Sequence, residues 1–218
     1  MQRTGAQIVW ECLVKEGVET VFGYPGGAIL PTYDAMLDYP VRHVLVRHEQ
    51  GAAHMADGFA RASGKVGGAI AASGPGATNL TTGIATAMLD SSPTVFITGQ
   101  VSSKVLGSDA FQEVDVTGIT LPITKHNSLV TEARHIARTI REAFEIARTG
   151  RPGPVLVDIT KDAQQGKADF HYPETVHLPG LHEPEPPDQA SLARAVELID
   201  KAERPLILAG AGVMRSGA

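Results

Sequence analysis

Apolar positions along the chain alternate between two spacings. Over 4–15, Ile8, Val9, Cys12 and Leu13 recur at helical intervals, with Thr4 as a cap and Gly17 as a stop. The run 18–22 reads as a buried strand, closed by the turn Tyr24-Pro25-Gly26-Gly27. The cycle repeats as helix 30–37, strand 41–46, helix 52–62, strand 68–72, helix 77–89 and strand 94–98. A longer loop with a short helix covers 100–120, and strand 128–131, helix 133–148 and strand 154–159 follow. Strands that alternate with helices need crossover connections. The pattern therefore predicts an α/β fold with a doubly wound, mostly parallel sheet and helices on both faces.

The pattern changes after residue 162. Pro173, Pro179, Pro184, Pro186 and Pro187 are incompatible with a central strand or a helix interior, so 166–187 reads as a linker. It separates a first domain over 1–165 from a second α/β domain that starts over 188–218. In that second part, 189–201 has helical spacing (Leu192, Val196, Ile199), and 205–209 reads as a strand ending in Gly210-Ala211-Gly212. One helix–strand unit cannot bury its own apolar face, so the sequence is expected to be a truncated piece of a longer protein.

Composition narrows the function. With 218 residues, 43% hydrophobic and 20% charged, the chain reads as soluble and globular. A net charge of -5 argues against a nucleic-acid or anionic-membrane partner. One cysteine, Cys12, excludes an internal disulfide framework and reads as core filler in a reducing compartment. There is no run fit to span a bilayer and no signal or transit segment, which predicts a cytoplasmic protein.

Ligands in open α/β sheets gather outside the carboxyl ends of the strands, and several informative strings follow strands directly. Glu49 lies in Arg47-His48-Glu49-Gln50-Gly51-Ala52, after an apolar strand and before small residues. A poorly solvated carboxyl there would hold its proton to higher pH and share it with a bound base. An acid at a helix N-terminus can equally do no more than favour the dipole. Zinc is rejected, because the protease motif needs histidine three residues after the glutamate and position 52 is Ala. Ser73-Gly74-Pro75-Gly76-Ala77-Thr78-Asn79 mimics a dinucleotide fingerprint but has Asn79 where the third glycine belongs. No metal-ligand set is assigned.

Four strings occur in the order found in thiamine-diphosphate carboligases and decarboxylases. They are Phe22-Gly23-Tyr24-Pro25-Gly26-Gly27, the Glu49 string, Gly58-Phe59-Ala60-Arg61-Ala62-Ser63-Gly64, and the string 73–79. The region resembles the pyrimidine-binding domain of that superfamily. Thr98-Gly99-Gln100-Val101, Gly107-Ser108-Asp109-Ala110-Phe111-Gln112-Glu113 and Gly150-Arg151-Pro152-Gly153-Pro154 resemble the acetolactate synthase large (catalytic) subunit family in particular. The resemblance spans residues 1–165 and continues more weakly beyond.

That resemblance implies decarboxylation of pyruvate and transfer of the two-carbon unit to a second 2-keto acid, a step of branched-chain amino acid biosynthesis. It implies that Glu49 hydrogen-bonds the cofactor's aminopyrimidine and favours the imino form that deprotonates the thiazolium carbon. Pro25, Gly26, Ser73, Pro75 and Asn79 match cofactor-pocket positions, with the last three at a helix start, and Gln112 matches a residue at the catalytic centre. Arg151 matches a contact to the family's FAD, with Lys161 near the same channel mouth, while Ser102 stands where some relatives have proline. Family members bind Mg²⁺ and the diphosphate through Gly-Asp-Gly and a later Asn, a motif this sequence lacks, so the chain by itself is expected to be inactive. They work as homodimers or tetramers with the active site between subunits, sometimes with a regulatory small subunit. Another carboligase, decarboxylase or oxidase of the superfamily, or a non-catalytic module of the same domain, stays open as an alternative.

Overall fold

The computed structural model describes residues 1–180 and 185–216. Two compact units, Met1–Leu181 and His182–Ala218, divide the chain. The first opens with β1 (Gln2–Thr4), α1 (Gly5–Lys15), β2 (Thr20–Gly23), α2 (Leu30–Ala35), β3 (Arg42–Leu45) and α3 (Glu49–Ser63). It continues through β4 (Gly67–Ala71), α4 (Pro75–Thr78), α5 (Thr81–Leu89), β5 (Thr94–Gln100) and α6 (Val116–Thr120). Then come β6 (His126–Val130), α7 (Ala133–Arg148), β7 (Pro154–Thr160), α8 (Lys161–Gln165) and β8 (Lys167–Asp169).

Six strands form one sheet in the order β3-β2-β4-β5-β7-β6, and every neighbouring pair is parallel. The three strands β4, β5 and β7 are buried along their whole length, as their near-continuous apolar runs require. Helices cover both faces. On one side α1, α2 and α7 bury Trp10, Leu13, Ile136, Ile140 and Phe144 against the sheet. On the other, α3, α5 and the turn that precedes α5 contribute Ala52, Ala53, Ala56, Leu80 and Ile84. Transfer of such side chains from water, at about 25 cal/mol per Å² of apolar area, is the main force holding the three layers together.

Local signals set the boundaries. A capping box starts α1, in which Thr4 Oγ1 accepts from Gln7 N–H at 3.2 Å and Gln7 Oε1 accepts from Thr4 N–H at 3.0 Å. Gly64, with φ 72°, ends α3 in the left-handed conformation that a glycine adopts without strain.

The expected helix 77–89 is instead two helices, because the chain turns at Asn79–Leu80. The expected linker 166–187 is also partly structured, since β8 pairs antiparallel with β1. Of its prolines, Pro184 lies outside the described residues.

The second unit contains α9 (Gln189–Lys201) and α10 (Ala211–Ser216). Asp188 caps α9, its Oδ1 accepting from Ser191 N–H at 2.8 Å. The strand expected over 205–209 does not form, and Leu206, Ile207 and Leu208 are 84%, 82% and 90% exposed. A strand exists only by pairing, and among the described residues none pairs with this segment.

Candidate functional site

In a parallel sheet the helix after each strand begins at that strand's carboxyl end, so free N–H groups and loop side chains collect on one rim. The order β3-β2-β4 sets three such loops side by side. The chain leaves β2 toward α2 on one face and leaves β4 toward α5 on the other, opening a crevice between them.

The loop after β2 is laid down in close contact. A Cβ on Gly23 would lie 2.3 Å from the Ile70 carbonyl oxygen, and one on Gly26 would lie 2.5 Å from the Cβ of Ala72. Pro25 and Gly26 are half-buried, and the Gly26 carbonyl accepts from Ile29 N–H at 3.0 Å, which closes the turn into α2.

After β3, His48 caps α3 by accepting from Gln50 N–H at 3.2 Å, so Glu49 is the first residue of the helix. There the dipole favours a carboxylate. Glu49 is half-buried, less enclosed than the sequence suggests, because β3 is an edge strand whose Leu45 is 64% exposed. Its Oε2 accepts from Asn79 Nδ2 at 2.8 Å. Its Oε1 faces Gly76, where a Cβ would come within 3.3 Å.

After β4, Ser73 is buried and its carbonyl accepts from Gly76 N–H at 3.2 Å. Pro75 opens α4, while Asn79 follows its last residue rather than standing at a helix start. Gly74 is required twice over: its φ is 56°, and a Cβ there would sit 2.6 Å from the Gln112 carbonyl oxygen. Gln112 thus arches from the loop after β5 over the Gly74 turn, with φ 58° and its side chain exposed beside exposed Phe111.

Glu49, Pro25, Gly26, Ser73, Pro75, Asn79 and Gln112 therefore share one rim. Arg151 and Lys161 do not share a mouth within this unit. Lys161 starts α8 at the carboxyl end of β7, whereas Arg151 precedes that strand, roughly 20 Å of extended chain away. Arg151 Nε donates to Ser91 Oγ at 2.7 Å and its Nη2 to the Leu89 carbonyl at 3.4 Å.

Other groups at the rim carry no motif. Tyr33 Oη lies 3.2 Å from His43 Nε2 beneath the Gly23 turn. Burial first, and then the Glu49 carboxylate, push the Tyr33 phenol above its ordinary range. Asp158 is buried inside β7, accepting from Thr98 Oγ1 at 2.7 Å and from Gln100 Nε2 at 2.9 Å. The same Gln100 Nε2 donates to the Val114 carbonyl at 2.9 Å, tying down the loop that bears Gln112. Burial pushes the Asp158 carboxyl up to about 6; the Thr98 and Gln100 hydrogen bonds oppose that, and Asp115 adds to it. An acid inside the apolar run 154–159 was the signal for this network.

Among the described residues, no cluster of His, Cys, Asp and Glu is suited to hold a metal. A cavity of about 460 Å³ lies at the opposite rim, among Glu16, Glu19, Lys65, Phe144 and Arg148, away from Glu49, Asn79, Gln112 and the glycine turns.

Comparison with known proteins bears on this rim. Residues 3–119 match the family described as thiamine pyrophosphate enzyme, N-terminal TPP binding domain. The chain is 54% identical over 217 residues to a probable acetolactate synthase large subunit of Methanocaldococcus jannaschii, covering 98% of the chain and 37% of that relative. It is 52% identical over 216 residues to the acetolactate synthase large subunit of Corynebacterium glutamicum, covering 99% and 34%. A Mycobacterium bovis acetolactate synthase is 52% identical over 218 residues, with 100% and 35% covered. The chain thus spans little more than a third of the length of these relatives.

Proposed function

The chain belongs to the thiamine pyrophosphate enzyme family, through its N-terminal TPP binding domain, and from that premise we propose that it is the pyrimidine-binding part of an acetolactate synthase large subunit. The observation that carries this reading is the Glu49 carboxylate, fixed at Oε2 by Asn79 and left open at Oε1 by Gly76. The residues fit an aminopyrimidine: Gly26 closes on Ala72 to set the crevice width, and a ring nitrogen has a carboxyl to pair with. When bound, thiamine diphosphate supplies the carbanion chemistry that cleaves a 2-keto acid and carries its two-carbon unit.

The chain's own residues do the following. Asn79 orients the carboxyl, and Glu49 holds or shares a proton at Oε1 with the ring nitrogen. Pro25, Gly26, Ser73 and Pro75 wall the ring, and Gln112 hydrogen-bonds cofactor or keto acid from its arch over Gly74. Pyruvate and a second 2-keto acid are the substrates. Mg²⁺ with the diphosphate, and most of FAD, belong to other parts of the assembly, to which Arg151 and Lys161 offer contacts from separate rims. A dimer or tetramer, with a small regulatory subunit, fits the naming of the relatives as large subunits. Residues 1–165 are the pyrimidine-binding domain, 166–187 the linker and 188–218 the opening of the next domain, at work in the cytoplasm. No described helix is long and apolar enough to cross a membrane.

The test is acetolactate formation from pyruvate by the complete protein with thiamine diphosphate, Mg²⁺ and FAD. Product that vanishes when thiamine diphosphate is withheld supports the reading. Absence of both product and cofactor binding refutes it.

A further inference from the structure

Gln164, a residue outside every motif, is wholly buried in α8 and makes three hydrogen bonds through its amide, including both of its donors. Its Nε2 donates to the Ala28 carbonyl at 2.8 Å and to the Ile159 carbonyl at 3.0 Å. Its Oε1 accepts from Thr32 Oγ1 at 2.9 Å, and the Thr32 carbonyl accepts from Trp10 Nε1 at 2.6 Å. The orientation of the amide is forced, because turning it over would set its oxygen against two carbonyls. One side chain thereby joins the end of β7, the start of α2 and the turn after β2.

That turn has few other anchors. Its Ala28 carbonyl lies so close over Gly99 that a Cβ there would be 2.7 Å away. The backbone groups of β5 and β7 around it are engaged in their own ladder, so the donor must come from a side chain. Ala28 is two residues from Gly26, and the Gly26 carbonyl is bonded to Ile29 N–H. Movement at Ala28 therefore carries Gly26 away from Ala72, and Ala72 is also the neighbour of Gly76 beside Glu49.

We infer that Gln164 is a positioning residue for the cofactor crevice: its amide holds the Tyr24–Ala28 turn at the width the aminopyrimidine requires. The inference rests on the reading of that crevice given above. Thr32 supports the amide from the side away from the turn, which provides a control. Gln164→Met keeps volume but leaves the Ala28 carbonyl without its donor. Thr32→Val removes one bond to the amide while the donor to Ala28 remains.

Thiamine diphosphate binding to the complete protein, with Mg²⁺, is measured by calorimetry below the melting temperature of each variant. Michaelis constants for thiamine diphosphate and for pyruvate accompany it. Gln164→Met is expected to weaken cofactor binding about tenfold or more, and to raise the Michaelis constant for the cofactor far more than that for pyruvate. Thr32→Val should weaken binding by no more than about threefold, even where its melting temperature falls as far. Binding by Gln164→Met within about twofold of wild type overturns the inference. So does loss of affinity that tracks the loss of stability equally in both variants. A wild-type protein that binds no thiamine diphosphate overturns the reading of the crevice itself, and that outcome is distinguished from the others because it appears before any substitution is made.

Discussion

The two rims of the sheet are built from different chemistry. At the amino ends of the strands, where the helices terminate and their carbonyls gather, cations reach helix carbonyls or pair with neighbouring acids. Lys125 donates to the Ile146 and Thr149 carbonyls, Arg148 pairs with Glu16 at 3.0 Å and Glu145 at 3.1 Å, and Lys65 pairs with Glu19 at 2.9 Å. Arg151 holds the Leu89 carbonyl on the same rim. At the carboxyl ends the helices begin, and acids stand at several of those starts: Glu49 on α3, Asp115 capping α6 and Asp162 beside Lys161 in the first turn of α8. The helix macrodipole accounts for both preferences. The amino rim spends its side chains on closing helix ends, whereas the carboxyl rim spends glycines and amides on bringing loops together. The residues of the proposed site stand on the second kind of rim, where Glu49 Oε1 faces Gly76 beside loop backbone.

Four measurements can break or sharpen that contrast. The largest effect is expected at Glu49. Glu49→Gln retains shape and hydrogen bonding but cannot move a proton, so exchange of the cofactor's thiazolium proton with deuterated solvent should slow by about 10²–10⁴-fold. The melting temperature should hardly move; unchanged exchange would remove Glu49 from the chemistry.

Asp158 comes next. Its folded value of about 6 stands above its ordinary 3.8, so the folded state binds more protons between those values. Its contribution to stability is complete below about pH 4 and is lost as pH rises through about 6, by up to ~3 kcal/mol. Urea unfolding of wild type and Asp158→Asn across that window should show a difference that narrows toward low pH. Parallel curves would mean that the carboxyl is ionised throughout.

A pair of glycines separates fold from site. A Cβ at Gly67, on the amino rim, would lie 2.0 Å from the Ala56 carbonyl oxygen, and one at Gly26 would lie 2.5 Å from the Ala72 Cβ. Each alanine substitution should cost about 1–3 kcal/mol in denaturant titrations. Only Gly26→Ala should also abolish thiamine diphosphate binding in protein that remains folded, and equal loss in both would erase the distinction between the rims.

Arg148→Ala should do least. Its side chain is 38% exposed, and although its partner Glu16 is only 4% exposed, Glu16 keeps Arg141 at 3.6 Å and the Tyr172 hydroxyl, so the loss should be about 1 kcal/mol and shrink with added salt. Proton exchange at the cofactor should be unaffected.

Much of this arrangement is legible from residue pattern, for identifiable reasons. Helix α7 coincides with its expected span because Ile136, Ile140 and Phe144 keep strict helical spacing up to Gly150. The loops after β2 and β4 announce themselves through glycine and proline. The break between α4 and α5 was invisible, since Ala77, Leu80, Ile84 and Ala87 continue one apolar stripe across it. At the break Asn79 and Leu80 keep right-handed helical angles, and the Leu80 N–H shifts to the Ala77 carbonyl at 3.1 Å, a tightening that no residue type advertises. Pattern also overreads 205–209, where an apolar run has no neighbouring strand. Gln100 and Gln164 escape for a different reason: a glutamine has the same letter whether it is solvated or is the central tie of three segments.

The β1–β8 ribbon has a consequence of another kind. Gln2 lies opposite Asp169, Thr4 opposite Lys167, and Phe170 N–H reaches the Met1 carbonyl at 3.1 Å. The first and last strands of this unit therefore clasp each other in a ribbon of their own, and the chain past β8 stays on the unit, where the Tyr172 hydroxyl donates to Glu16. Opening that clasp would free both strands together while every strand of the main sheet kept its own partners.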